Sequence, residues 1–347
     1  MDTLSSVLDG HRARGASLLR CEMQAPWALR IQDEAVLGLV VLVRGSACLA
    51  PEQGDAVVLG EGDLALVRGL RPYVFGDDPS TAPMAVVEPG NVCRSLTGEA
   101  LATTYGLGTR TWGNAGEPRP AGADGQPDGQ RTTTFLTASW ELPGQLTGRL
   151  VDALPDVAVV PAEQLDPALV DLLAREVQRD LPGQEVVLDR LVDLVLVGAV
   201  RAWFDRDRAA APAWWAASTD PVVGRALGLL HGNPAHPWTL ERLAAAVHVS
   251  RATLSRRFAD LVGRPPMAYL AQWRLARAAD LLRDGTATVE QVAHAVGYAN
   301  AFAFSAAFKR EHGLSPRAFR AASTAGGATR PVRPSRQGAG AASPSGH

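Results

Sequence analysis

At 347 residues, 46% hydrophobic and 20% charged, the chain has room for two or three folded domains and the composition of a globular protein. A net charge of −2 hides an asymmetry: residues 220–322 carry thirteen Lys or Arg against seven Asp or Glu, whereas residues 1–219 carry eighteen against twenty-nine. No apolar run reaches the roughly 20 residues of a membrane span, MDTLSSVLDG is not a secretory leader, and three cysteines without CxxC spacing build no zinc knuckle. The expectation is a cytoplasmic protein, without a membrane partner, whose basic C-terminal part meets phosphate.

From Trp27 to about Val92 the sequence predicts short strands at 35–44, 47–50, 56–59, 64–67 and 85–88. They are rich in Val, Leu and Ala, and turn residues such as Arg44-Gly45-Ser46 and Gly60-Glu61-Gly62-Asp63 separate them. Such close spacing points to a β-sandwich or barrel. A further strand is expected at 132–142, after a Gly/Pro/Ala/Asp stretch, 113–130, too poor in apolar residues to order itself. An apolar barrel interior with Arg44, Asp63 and Tyr73 as its polar groups would form an effector pocket. Cys21 and Cys93 lie either side of the early strands and are a candidate redox pair if their Cα atoms approach within about 7 Å. The alternative for cysteines here is a small buried hydrophobe.

Two helices follow. The first, 166–180, has Leu169, Leu172 and Leu173; the second, 185–204, is apolar around most of its circumference. A helix of the second kind must be covered on more than one side, by the core or by a second copy of the chain, and both readings stand. Residues 209–219 read as a Trp-bearing linker.

The most informative text comes next: two helix-turn-helix units, 239–263 and 288–313, about fifty residues apart. Each has a small residue in a short first helix (Ala244, Ala293), a turn (His248-Val249, Gly297-Tyr298) and an N-capping side chain (Ser250, Asn300). Each then has a second helix with apolar residues four apart, Leu254 and Phe258 or Phe304 and Phe308, whose other face is free for a DNA groove. A helix over 266–283 would separate the two units by about 27 Å at 1.5 Å per residue. Neighbouring major-groove faces recur every ~34 Å, so one chain could read two of them with some bending of the duplex.

This segment resembles the DNA-binding domain of the AraC/XylS transcriptional regulators. The matching residues are Trp238-Thr239-Leu240, Ser250-Arg251, Phe258, Tyr269, Arg274, Ala278, Gly297-Tyr298, Phe304-Ser305, Phe308-Lys309 and Gly313-Leu314-Ser315-Pro316. The N-terminal half resembles, less strongly, the cupin-like sensor domain of one branch of that family, through Leu42-Val43-Arg44-Gly45-Ser46, Gly62-Asp63 and LVDALP at 150–155. The resemblance implies an α+β multidomain protein: a cupin-like β-barrel with flanking helices, then an all-α double helix-turn-helix domain. The corresponding boundaries are 1–160 for the sensor, 161–208 for connector helices and 209–219 for the linker. The DNA-binding domain would span 220–322, and a disordered tail 323–347.

It also implies duplex DNA and RNA polymerase as partners, a small-molecule or oxidant signal, and a homodimer. The family's base-reading positions fall on Ala252, Ser255 and Arg256, with Arg251 also outward and Arg257 turned to the phosphate backbone or solvent. Arg256 is the residue suited to a bidentate guanine contact. In the second unit Ala301, Phe302 and Ala306 stand where many relatives have polar residues; they offer thymine methyls only van der Waals contact. Ser250, Asn300 and Ser305 complete the DNA-facing set, and Lys309 and Arg310 are phosphate clamps. Some relatives in this branch sense oxidants or reactive chlorine through cysteines, and Cys21 sits similarly near the start.

Two other classes compete with the regulator. A cupin oxygenase or isomerase with a DNA-binding appendage needs metal ligands, but the histidines fall at 11, 231, 236, 248, 294, 312 and 347, none of them in the barrel. Where relatives often have a histidine after proline, this chain has Pro72-Tyr73. An alkyl-accepting repair protein would need a reactive Pro-Cys-His context that is missing. No metal, cofactor or catalytic residue is expected.

Overall fold

The computed structural model describes residues 17–69, 71–101, 104–108, 110–115, 132–140, 148, 150–206, 211–283 and 285–326. Within them the N-terminal half is two β-sheets face to face. One has the order β10(Gly106–Gly108)-β11(Thr111–Trp112)-β1(Ser17–Gln24)-β12(Thr132–Trp140)-β3(Leu37–Arg44)-β6(Leu64–Arg68)-β13(Val157–Val160). The other runs β5(Val57–Leu59)-β4(Ala47–Pro51)-β7(Tyr73–Gly76)-β2(Ala28–Ile31)-β8(Ala85–Glu88)-β9(Val92–Ser95).

The apolar run of β3 is explained by burial on both sides. Alternate side chains of a strand point to opposite faces. Val40 and Leu42 enter the core between the sheets, while Leu39 and Val41 enter a second core under the helices. The inter-sheet core is filled by an aromatic trio: Trp27 lies 5.4 Å from Phe75 and 5.5 Å from Phe135, and Phe75 lies 4.9 Å from Phe135, centroid to centroid.

Two helices cover the outer face of the larger sheet, α1 (Pro167–Glu176) and α2 (Gln184–Arg206). Asp166 caps α1 by accepting from the Ala168 N–H at 3.0 Å. Leu188, Leu191, Val192, Val195, Leu196, Ala199, Val200 and Phe204 of α2 are buried within the chain's own core. Val186, Val187 and Leu194 stay exposed.

The described part of the span expected as a linker departs from that expectation. Helix α3 (Ala213–Ser218) occupies it, Ala217 is fully buried, and Trp215 packs on Phe204 at 5.3 Å. The tryptophans that make the segment conspicuous are therefore packing residues. The remaining helices are α4 (Val223–Gly232), α5 (Leu240–Ala246), α6 (Arg251–Val262), α7 (Pro266–Arg283), α8 (Val289–Ala295), α9 (Ala301–His312) and α10 (Pro316–Gly326).

Packing divides these helices unequally. One continuous core runs from the larger sheet through α2 and α3 to Leu254, Phe258, Tyr269, Leu270 and Trp273. The second unit has a core of its own: Leu275, Ala278, Ala279 and Leu282 of α7 with Val292, Ala293, Phe304 and Phe308.

Several strands were not anticipated. β1 precedes Trp27, and β13 pairs antiparallel with β6 from Val157↔Val67 to Val160↔Leu64. β7, β9, β10 and β11 are short and carry little periodicity of their own. Residues 113–115 of the expected floppy stretch are described: Gly113 N–H donates to the Tyr105 carbonyl at 2.8 Å, and Gln24 N–H donates to Asn114 Oδ1 at 2.7 Å. The rest of that stretch, 116–130, lies outside the described residues, as does the tail from 327. Helix α10 continues four residues past the expected domain end at 322.

Candidate nucleic-acid interface

The two units share one pattern of caps and turn bonds, to which the second adds a capping box. In the first, Thr239 caps α5 by accepting from the Arg242 N–H at 3.2 Å, and Ser250 caps α6 by accepting from the Thr253 N–H at 3.1 Å. In the second, Thr288 and Gln291 form a reciprocal capping box at 3.2 and 2.8 Å, and Asn300 Oδ1 accepts from the Ala303 N–H at 2.8 Å. The turns close by equivalent bonds, Val249 N–H to the Ala244 carbonyl at 3.1 Å and Tyr298 N–H to the Ala293 carbonyl at 2.9 Å. Both recognition helices end on a left-handed glycine, Gly263 or Gly313. The offset between units is forty-nine residues before the turn (Ala244 to Ala293) and fifty after it (Ser250 to Asn300), because Ala299 is an extra residue in the second turn.

Leu254, Phe258, Phe304 and Phe308 are all fully buried, which fixes the roll of α6 and α9. The predicted DNA-facing residues then sort as follows. On α6, Arg251, Ala252, Arg256 and Arg257 are exposed and Ser255 is half-buried. On α9, Phe302, Ala306, Lys309 and Arg310 are exposed, and Ala301 and Ser305 are half-buried; the capping residues Ser250 and Asn300 are exposed too. Arg256 is in no ion pair among the described residues.

Two of the arginines are held by acids. Arg251 Nη1 donates to Glu241 Oε1 at 2.6 Å, an exposed pair of small energetic weight. Arg257 donates through Nε and Nη2 to Asp220 Oδ2, at 2.9 and 2.6 Å. Asp220 is a functional residue that sequence reasoning missed. Its Oδ1 also accepts from the Val222 and Val223 N–H groups at 2.9 and 2.8 Å, so one carboxylate starts α4 and anchors a recognition-helix arginine. Burial alone would raise its pKa, but the hydrogen bonds from Val223, Arg257 and Val222 outweigh burial and hold it below the usual carboxylate range. The sequence signal available was Asp followed by Pro at a helix start.

The rod between the units is α7, eighteen residues long, as the sequence predicts. Arg274 on it donates through Nε to the Pro234 carbonyl at 2.7 Å and through Nη2 to the His236 carbonyl at 2.9 Å, tying the rod to the loop before the first unit. His231, also missed, is fully buried against it, with Nε2 2.7 Å from Tyr269 Oη and its ring stacked 3.8 Å from Trp273.

The structure does not bring the three proposed pocket residues together. Arg44 lines an open groove of about 410 Å³ with Arg20, Glu22, Glu61, Thr132 and Thr134. Tyr73 lines a different one, of about 340 Å³, with Gln32, Asp33, Arg71 and Glu88. Asp63 is structural: its Oδ2 accepts from the Gly60 N–H at 2.8 Å and its Oδ1 from the Ala162 N–H at 3.0 Å, pinning the β5–β6 turn. The inter-sheet space expected to hold an effector is where the aromatic trio packs, so the grooves lie outside it.

Cys21 and Cys93 sit in opposite sheets but share the inter-sheet core. Both are free thiols. Burial pushes Cys21 up to about 12, with a smaller push from Cys93, and burial raises Cys93 to about 11. Among the described residues no three His, Cys, Asp or Glu side chains are grouped as a metal set, and no helix is long and apolar enough to cross a membrane.

Comparison with known proteins agrees with this architecture. Residues 2–205 match the cupin family and residues 243–322 match a helix-turn-helix domain family. The chain is 31% identical over 325 residues to an AraC-like transcription regulator of Streptomyces lividans, covering 92% of this chain and 98% of that one. It is 26% identical over 330 residues to the HTH-type transcriptional regulator AlkR of Acinetobacter baylyi, covering 92% and 99%. Among solved structures, the DNA-binding domain of AdpA in complex with a target DNA is 31% identical over 32% of this chain and 100% of that one, with a TM-score of 0.31. The chain belongs to the AraC-like transcription regulators, with a β-rich cupin domain in front of a helical helix-turn-helix DNA-binding domain.

Proposed function

We propose that this regulator acts in the cytoplasm, with no enzymatic activity, by setting α6 and α9 into two successive major-groove segments of a promoter. The first unit carries most of the base readout, through Arg256 with Ala252 and Ser255, and the second mainly positions the protein through Lys309 and Arg310. RNA polymerase is the partner that bound protein would influence. The observation that carries this reading is the pairing of two helices, each with a side-chain N-cap and a glycine C-cap and each seated in a different core, on the two ends of one eighteen-residue rod. The free Arg256 on α6 and the apolar Ala301, Phe302 and Ala306 on α9 support the division of labour.

The cupin half supplies the signal. The open grooves at Arg44 and Tyr73 make a small effector the first reading. A Cys21–Cys93 redox switch is the second, favoured by the shared core but opposed by thiols held in the protonated form. The unbroken core from the larger sheet to α6 supports a route from sensor to first unit. The exposed Val186, Val187 and Leu194 of α2 support a homodimer through that helix.

The test is a pair of substitutions read against a panel of duplexes. Arg256→Ala should flatten base preference. Lys309→Ala should weaken binding evenly across sequences and reduce the salt slope by about 1. The reverse pattern would reject the division of labour.

A further inference from the structure

Phe302 is 86% exposed, more than any other large hydrophobic side chain among the described residues. It is the second residue of α9, immediately after Ala301, in a helix start fixed by the Asn300 cap. Phe304 and Phe308 occupy the buried face of the same helix, so Phe302 cannot turn inward without displacing them. Its neighbours three and four residues on along the helix surface are Ser305 and Ala306, too short to cover a phenyl ring.

The fifty-residue offset pairs Phe302 with Ala252 and Ala306 with Arg256. The chemistry is inverted between the two units. α6 has a methyl group on its first turn and a hydrogen-bonding guanidinium on the next. α9 has a bulky apolar ring on its first turn and a methyl on the next.

We propose that Phe302 is a specificity-determining residue that reads the C5-methyl group of a pyrimidine in the second major-groove segment. The proposal rests on the reading that α9 enters that segment. A phenyl ring has neither donor nor acceptor, and the apolar feature a major-groove edge presents is the thymine C5-methyl. Contact between the two removes apolar surface from water on both sides. The same contact is available to 5-methylcytosine and missing from uracil and unmodified cytosine. The second unit then discriminates at one position by methyl content, and its recognition responds to cytosine methylation.

The experiment uses the full-length protein and a duplex selected by it from a random pool. Each position of the selected site is converted in turn to thymine, deoxyuridine, cytosine and 5-methylcytosine, and affinity is read by fluorescence anisotropy. The expected result is one or two positions in a single half-site where losing the methyl weakens wild-type binding about fourfold, with 5-methylcytosine preferred over cytosine by a similar factor. Phe302→Ala erases that preference; Phe302→Leu keeps part of it. Wild-type protein indifferent to the methyl at every position would overturn the proposal, as would Phe302→Ala that keeps the full preference.

A hydroxyl-radical footprint separates this failure from a deeper one. Two protected segments one turn apart with no methyl preference reject Phe302 as a reader and leave the groove reading standing. One protected segment rejects both. A Phe302→Ala variant with unchanged DNA binding but reduced transcription assigns the ring to a protein partner and likewise overturns the proposal.

Discussion

Gly297 in the second helix-turn-helix unit is pressed against Ala235 in the loop that precedes the first. A Cβ on Gly297 would stand 2.8 Å from Ala235 Cα and 2.9 Å from its carbonyl oxygen, with Arg274 Nη2 also at 2.9 Å. The backbone there has φ +86°, a conformation side chains rarely adopt. The equivalent turn in the first unit has the same left-handed backbone at His248, φ +58°, but carries a side chain. Gly297→Ala should therefore cost roughly 2–4 kcal/mol, from the left-handed residue and the backbone overlap together. His248→Gly should instead stabilise, by up to about 1 kcal/mol. Denaturant midpoints of the two variants check this; similar changes in both would contradict the asymmetry.

How much of this was legible in the sequence varies along the chain. The helix-turn-helix pair was readable almost to the residue, because capping side chains, turn residues and the buried aromatics at 258, 304 and 308 are local signals. The span 266–283 was predicted as the rod and is the rod. β1 and β13 were missed because their pairing is non-local: β1 pairs with β12 over a separation of more than a hundred residues (Ser17↔Ser139), and β13 with β6 over about ninety. Asp220 and His231 were missed for the same reason, since their roles depend on Arg257 and Tyr269, 37 and 38 residues away. Tyr73 and Asp63 are polar residues near barrel strands, and composition does not distinguish a turn-pinning carboxylate from a pocket carboxylate.

The Arg257–Asp220 pair separates stability from recognition. Asp220 accepts the Val222 and Val223 N–H groups in the turn that leads into α4 and also holds Arg257, so Asp220→Ala should cost about 1–3 kcal/mol from the lost hydrogen bonds and leave Arg257 free to seek phosphate. Arg257→Ala should lower stability slightly and leave the ranking of duplex sequences unchanged. Arg257→Ala that altered base preference would move this arginine into the readout set.

Buried His231 makes stability depend on pH. Burial lowers its pKa to about 3, and Nδ1 has no hydrogen-bond partner among the described residues. An unfolded histidine binds its proton near pH 6.5, so between the two values the unfolded chain holds more protons and stability rises with pH. The contribution is fully present above about pH 6.5 and is lost as pH falls, at about 1.4 kcal/mol per pH unit for one such group. Wild-type protein should lose about 2 kcal/mol more than His231→Gln between pH 6.5 and pH 5. Parallel pH profiles of the two proteins would show that the imidazole is protonated in the folded state.

The thiols should be slow. The thiolate is the attacking species, and burial holds Cys21 and Cys93 well above neutral pH. Iodoacetamide at neutral pH should label neither in the native protein and both in denaturant. Mass spectrometry after mild oxidation should find them unmodified. A Cys21–Cys93 cross-link formed in native protein would reverse the order of the two sensor readings.

The unequal division of the cores predicts where a disturbance in the sensor travels. Phe204 at the end of α2 is fully buried against Trp215 of α3, and the same core reaches Leu254 and Phe258 of the first recognition helix. The second unit's core shares α7 but no side chain with it. Phe204→Ala leaves a cavity worth roughly 3–5 kcal/mol, and Trp215 and α3 would relax into it. Amide hydrogen exchange should then accelerate in α3 and α6 while α8 and α9 keep their wild-type protection. The DNA readout should follow the same pattern: weaker discrimination at the positions under Arg256, with the phosphate contacts of Lys309 retained. Equal loss of protection in α6 and α9 would mean that the two units unfold as one body and that the first has no privileged link to the sensor.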